Sequence, residues 1–241
     1  MKTFYCKIAD LAVQIHAKND SVLSYFEVYL IEECTPDLVI AVTDAEIASE
    51  SQSGTESPAY LEFLAICRAF CHKAYAYDVF LLHAAVIEVD GLAYAFLAPS
   101  GTGKTTHICL WRQMLGKRCQ IVNGDKPFIR RRDGKFYAYG TPWCGKERLQ
   151  RNVCIPLSSL CKLARGETDT IREMTAQDAV PSVIAQIYLP PSLEATAHIL
   201  EMADSMLTAI PCFQLSCTKA PSAAAVAYAA MVEKKQGETQ S

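Results

Sequence analysis

The chain has 241 residues, 51% of them apolar and 20% charged, with a formal net charge of −3. That balance supplies a sizeable core and lacks the basic footprint of a nucleic-acid binder. No apolar run is long enough for a membrane span, and Lys7 and Asp10 fall where a signal peptide carries its apolar stretch, so a cytoplasmic protein is expected. Eleven cysteines are scattered without a Cys-x-x-Cys pair or a histidine set arranged for zinc. They read as small buried apolar residues of a reduced protein.

Residues 1–50 alternate apolar and polar side chains: Phe4, Cys6, Ile8, then Val13, Ile15, then Phe26, Val28, Leu30, then Val39, Ala41, Thr43. A period of two predicts three or four short antiparallel strands, a small N-terminal β subdomain. Glu50 to Ser57 is polar and rich in turn residues, a linker. Ser57 and Pro58 then suit the cap and first position of a helix ending near Tyr77. Two apolar strands, Phe80 to Val89 and Leu92 to Leu97, flank Asp90-Gly91, a strong hairpin signal. A helix from about Thr105 to Leu115 closes on Gly116, a strand covers Cys119 to Asn123, and Phe128 to Tyr139 forms a hairpin around Asp133-Gly134. Arg130, Arg131 and Arg132 beside that turn read as its solvated tip. The last third reads as helices over Ala176–Tyr188, Ser192–Ala209 and Ser222–Lys235, with a strand at Cys212–Cys217 and a frayed polar tail.

Between the second apolar strand and its helix lies Ala98-Pro99-Ser100-Gly101-Thr102-Gly103-Lys104-Thr105-Thr106, a P-loop except for alanine at its first position. Glycines let successive amides turn inward toward phosphate oxygens, and the helix adds its own unpaired amides and dipole. Ser100, Gly101, Thr102, Gly103, Lys104, Thr105 and Thr106 are therefore the candidate nucleotide-binding residues. Lys104 would reach the β- and γ-phosphates, and Thr105 would ligate magnesium. Alanine at 98 is strained there only if the position needs a positive φ.

Phosphoryl transfer also needs an acid beside the phosphates, and Asp125, after the strand that follows the P-loop helix, is the candidate for metal and proton. Its competitor is a plain turn aspartate in Asn123-Gly124-Asp125. Counting back from a two-residue turn at Asp90-Gly91 sets His83 opposite Ala98, where facing Cβ atoms are about 5 Å apart. It stands at the phosphate site, unless it is an ordinary core histidine. His107 reads as helix surface. Gly140 to Lys146, with Arg148 and Arg151, reads either as an ordered loop gripping nucleotide or acceptor, or as a turn anchored by Trp143. Nothing marks Cys144 as a nucleophile.

Over residues 80–175 the chain resembles the HPr kinase-like proteins, whose nucleotide fold is shared with ATP-dependent phosphoenolpyruvate carboxykinase. The resemblance rests on Leu82-His83-Ala84-Ala85, Ser100 to Thr106, Asn123-Gly124-Asp125, Thr141 to Lys146, Ile155-Pro156-Leu157 and Leu163 to Gly166. It implies an α/β fold: a P-loop phosphoenolpyruvate carboxykinase-like core with a mixed sheet, over residues 57–235, beside the small β subdomain. It also implies transfer of the ATP γ-phosphate, with magnesium, to a serine hydroxyl on a peptide, protein or small molecule. Asp125 is then the catalytic acid, His83 its support, and Lys104, Lys146 and Arg148 cations about the phosphates. The family's second acid is absent, since Gly124 precedes Asp125 and Lys126 follows it. A nucleotide-sensing module without transfer is the rival reading. The partners expected are the nucleotide and that acceptor, with neither nucleic acid nor membrane; ATP against GTP and the oligomeric state stay open.

Overall fold

The computed structural model describes residues 2–233. Alternation builds the first hairpin: β1 (Lys2–Ile8) and β2 (Leu11–Ala17) pair antiparallel, burying Cys6, Ile8, Val13 and Ile15. The expected third strand is instead mostly 3-10 helix, at Asp20–Tyr25 and Glu27–Tyr29. Val22, Phe26 and Tyr29 are spaced for one helical face and are fully buried, whereas Val28 is 62% exposed. A two-residue β3 (Leu30–Ile31) and β4 (Leu38–Ala41) complete a sheet of order β3-β1-β2-β4. The sheet is not wholly antiparallel, because β4 runs parallel to β2. Its buried residues are Leu38 and Ile40, so the expected inward set of Val39 and Ala41 is one residue out of phase. Thr43 leaves the sheet and caps α1 (Asp44–Ser49) in a capping box with Glu46.

α2 (Pro58–Ala74) begins as expected, Ser57 accepting from the Tyr60 amide with Pro58 at the first turn. Its Phe63, Ile66 and Phe70 share one apolar core with Phe4, Ile15 and Phe26. After a 3-10 turn the chain forms β5 (Val79–Leu81), β6 (Ala84–Val89) and β7 (Leu92–Leu97). The single strand expected over Phe80–Val89 is thus broken at Leu82-His83, where the chain passes from one set of partners to another. The Asp90-Gly91 turn is as predicted, with φ of 50° and 82° and Val89 facing Leu92.

α3 (Lys104–Leu115), β8 (Cys119–Asn123), β9 (Phe128–Arg132) and β10 (Lys135–Tyr139) follow the expected order. Two unforeseen strands come next, β11 (Cys154–Arg165) and β12 (Thr170–Met174), then α4 (Ala176–Ile184), α5 (Leu193–Ala209), β13 (Cys212–Cys217) and α6 (Ser222–Tyr228), with a π turn at Ala229–Glu233. The expected tail after Glu233 and the last turn of its helix lie outside the described residues. The main sheet runs β12-β13-β11-β7-β6-β8, with β7, β11 and β13 parallel and β6 antiparallel to both neighbours. The first residues of β11 instead join β10, β9 and β5. One face carries Ile108 and Trp111 of α3 with Ala224 of α6; the other carries Ile199 and Met206 of α5 with Val183 of α4. The fold is therefore α/β with a mixed sheet.

The three arginines before Asp133 are no solvated tip. Arg130 donates to the Ala9 carbonyl, Arg131 bridges Asp78 and Glu201, and Arg132 pairs with Asp10. Seven of the eleven cysteines are buried and all are unpaired. Among the described residues no helix is long and apolar enough to cross a membrane.

Candidate functional site

The site is assembled at the end of β7, where the sheet's parallel centre stops. Ala98 is buried and is not among the residues with left-handed backbone, so alanine at the loop's first position costs no strain. Gly101 and Gly103 do carry positive φ, 75° and 119°, which is why the curl needs glycine at those points. Gly103 leads straight into α3 without a side-chain cap. Among the described residues the amides of Gly101, Gly103, Lys104, Thr105 and Thr106 have no protein acceptor. Five free donors at the positive end of a helix have the geometry and polarity that suit an anion.

Lys104 is buried and folded back, its Nζ 2.7 Å from the Ala98 carbonyl oxygen and 3.1 Å from His83 Nε2. Burial lowers its pKa below that of an ordinary lysine; Asp125 opposes the shift and Lys126 adds to it. His83 sits where the strand breaks, its amide donating to the Gln186 carbonyl. The Ala84 amide donates to the Asp125 carbonyl, so the same stretch of backbone that presents His83 also holds the Asp125 turn. His83 Nε2 lies 3.2 Å from Asp125 Oδ1, and Lys126 Nζ lies 2.7 Å from Oδ2. Burial works against the carboxylate charge, but the His83 hydrogen bond and the Lys126 ammonium outweigh it and hold Asp125 well below the usual carboxylate range.

Asn123 makes that geometry. Its Oδ1 accepts from the amides of Asp125 and Lys126 at 2.9 and 2.8 Å, closing an Asx turn. Its Nδ2 donates to the carbonyl and hydroxyl of Thr141, and the Thr141 hydroxyl donates to the Lys126 carbonyl. Both residues are fully buried. Asp125 is thus a turn aspartate, and its turn aims the carboxylate at His83 and Lys126. Gly145, at φ 81°, packs so closely that a Cβ there would stand 3.3 Å from the Cβ of Asp125.

No family model matches the sequence, and no match is found among curated proteins. Among solved structures, the Hpr(Ser) kinase/phosphatase from Coxiella burnetii is similar in fold, with a TM-score of 0.40 and 9% identity over 67% of this chain and 99% of that one. The likeness is distant.

The structure brings His83, Lys104 and Asp125 into one hydrogen-bonded cluster beside the loop. Lys146 and Arg148 stand apart: among the described residues neither hydrogen-bonds to the loop, His83 or Asp125, and the Arg148 guanidinium lies 5.9 Å from the centre of the Tyr25 ring. Trp143 is a buried anchor, stacked on Phe63 and donating to its carbonyl. Cys144 is buried, which pushes its thiol up to about 11 and disfavours the reactive thiolate. His107, expected on the surface, is 3% exposed and accepts from the Trp111 indole. Sequence reasoning missed the turn-closing role of Asn123 and Thr141, Lys126 on Asp125, and Arg165, which donates to the Gly101 carbonyl at 2.7 Å. Only Asn123 carried a local signal, as the first residue of an Asn-Gly-Asp turn.

The donor set suits magnesium carried in with phosphates. Among the described residues the Thr105 hydroxyl, like those of Ser100, Thr102 and Thr106, makes no hydrogen bond, and Asp125 adds one carboxylate; Mg²⁺ takes few protein oxygens when phosphates and water supply the rest. Among the described residues no cluster of three or more His, Cys, Asp or Glu forms an all-protein metal cage.

Proposed function

We propose that the protein is an ATP-dependent kinase transferring the γ-phosphate to a serine-type hydroxyl. The observation that carries this reading is the His83 imidazole wedged between Lys104 and Asp125, 3.1 and 3.2 Å away. A lysine at a P-loop and a carboxylate oriented by a histidine are the two groups that positioned phosphoryl transfer asks for. The loop amides and Lys104 would hold the phosphates, and Thr105 and Asp125 would hold a magnesium ion, whose charge would offset that of the phosphoryl oxygens. The acceptor oxygen forms the new P–O bond as the bond to ADP breaks, and its proton passes to Asp125. A carboxylate of such low pKa is a weak base, but in a loose transition state the hydroxyl proton leaves late, so position matters more than basicity. Lys146 and Arg148, on the adjoining loop, would meet developing charge only by swinging in from where they stand, Arg148 from the Tyr25 ring.

A second reading has an observation of its own. Both Asp125 oxygens face cationic or imidazole partners, and Lys126 follows where the expected second acid is missing. A nucleotide sensor without transfer needs no more than that. Incubation with γ-labelled ATP and cell extract separates the two. Transfer is expected with the native chain and a loss of at least about a hundredfold with Asp125→Asn, while Lys104→Ala weakens nucleotide binding about tenfold or more. Labelling that persists in Asp125→Asn removes the assigned acid. ATP-dependent thermal stabilisation without any labelled product favours the sensor.

A further inference from the structure

A groove of roughly 890 Å³ runs beside the site, between the outer face of α3 and the segment after Gly145, over the start of β8. Its walls hold Cys109, Arg112 and Lys117 on one side and Arg148, Gln150 and Arg151 on the other. The chain as a whole is negative, yet no aspartate or glutamate lines this groove. Arg151 is already paired with Glu88. Arg112, Lys117 and Arg148 are exposed and, among the described residues, have no carboxylate partner.

Its position is set by two continuities. Cys109, Arg112 and Gly116 lie four, seven and eleven residues beyond Thr105 along one stripe of α3, so this wall of the groove begins one helical turn from the loop. On the opposite wall the Leu149 carbonyl accepts from the Gly124 amide, and Gln150 bridges to Asn123, so that wall meets the Asp125 turn. A chain lying in the groove is led by that wall toward the Asp125 turn.

We propose that this groove is the acceptor site, and that it takes a serine-bearing peptide segment rich in aspartate and glutamate. The inference rests on the kinase reading for the chemistry, though the docking itself does not require transfer. Three cations without a carboxylate partner along one cleft, Arg112, Lys117 and Arg148, select anionic side chains and hasten their encounter. Three glutamines in the lining, at positions 113, 120 and 150, offer amides to peptide backbone. No aromatic ring lines the groove, so it gives a nucleobase nothing to stack on. A peptide laid there runs from Lys117 toward Arg148 and delivers its hydroxyl to Asp125.

The test uses the whole chain and two fluorescein-labelled serine peptides of one length, one rich in Asp and Glu and one in Lys and Arg, read by anisotropy with and without ATP and magnesium. The acidic peptide is expected to bind at least about tenfold more tightly. That preference should vanish in the Arg112→Glu, Lys117→Glu variant, whose nucleotide affinity stays within about twofold. Transfer into the acidic serine peptide should show the same loss as a raised KM. Equal binding of the two peptides, or a variant that binds the acidic peptide as the native chain does, overturns the proposal. So does a variant that loses ATP affinity instead, since the groove would then hold nucleotide. Selective acidic binding without any transfer leaves the docking site standing and removes the kinase reading alone.

Discussion

At the scale of single residues, a ring nitrogen carries either a proton or a lone pair, so His83 Nε2 serves one neighbour at a time. With the proton it donates to Asp125, and Lys104 is held by the Ala98 carbonyl alone. Without it, the lone pair accepts from the Lys104 ammonium, and Asp125 keeps only Lys126. The number of partners on Lys104 and on Asp125 is thereby tied to which ring nitrogen of His83 carries the proton. His107 is a contrasting case. Burial drives its pKa down from 6.5 to about 4, its Nε2 accepts from Trp111, and its Nδ1 has no partner. Between those two values the unfolded chain binds the proton and the folded chain does not. Stability from this group is complete above the unfolded value and is lost as pH falls toward 4, by up to roughly 3 kcal/mol. Urea denaturation of the native chain and of His107→Gln over pH 7 to about 4.5 checks this: the native chain should lose more stability than the variant. Parallel curves would mean that His107 already titrates normally.

At the scale of elements, one buried carboxylate joins the N-terminal sheet to its covering helix. Glu62 on α2 is fully buried and accepts from the amides of Lys18 and Asn19 and from the Asn19 side chain, at 2.6, 2.9 and 2.6 Å. Removing it strands three donors where β2 turns into the 3-10 segment. Glu62→Leu should lower stability by about 3 kcal/mol and Glu62→Gln by about 1 kcal/mol, measured as shifts in the urea midpoint; equal losses would show that the charge and not the acceptors matters. No pattern in the sequence flags Glu62, because its partners lie more than forty residues away. The same contrast holds for the elements themselves. α3, β8 and the Asp90-Gly91 hairpin were legible because caps, glycines and period sit within a few residues of one another. β11 was not, since a strand central to the sheet shows no alternation and Pro156 and two serines interrupt its apolar run. The Asp125–His83–Lys104 meeting was legible only in part. Hairpin counting placed His83 beside the loop, but the Asx turn that aims Asp125 depends on Thr141, brought in by the fold.

At the scale of the whole molecule, the N-terminal sheet and the site are mechanically linked. The sheet packs on Phe63, Ile66 and Phe70 of α2, and α2 in turn holds Trp143 through the Phe63 carbonyl and by stacking. Trp143 is two residues from Gly145, which lies against Asp125, so the acid is braced by packing that begins at β1 and β2. A division into residues 1–50 and 57–235 follows the polar linker, but it cuts through this shared core. A fragment beginning at Ser57 would expose the inner face of α2, and burying each of those side chains contributes about 2 kcal/mol or more. Such a fragment is expected to aggregate or to show no cooperative melt, and the intact chain to unfold in a single transition followed alike by tryptophan fluorescence and far-ultraviolet circular dichroism. A soluble fragment that melts cooperatively and binds ATP with native affinity would make the sheet a separable appendage and leave the Trp143 brace without a role.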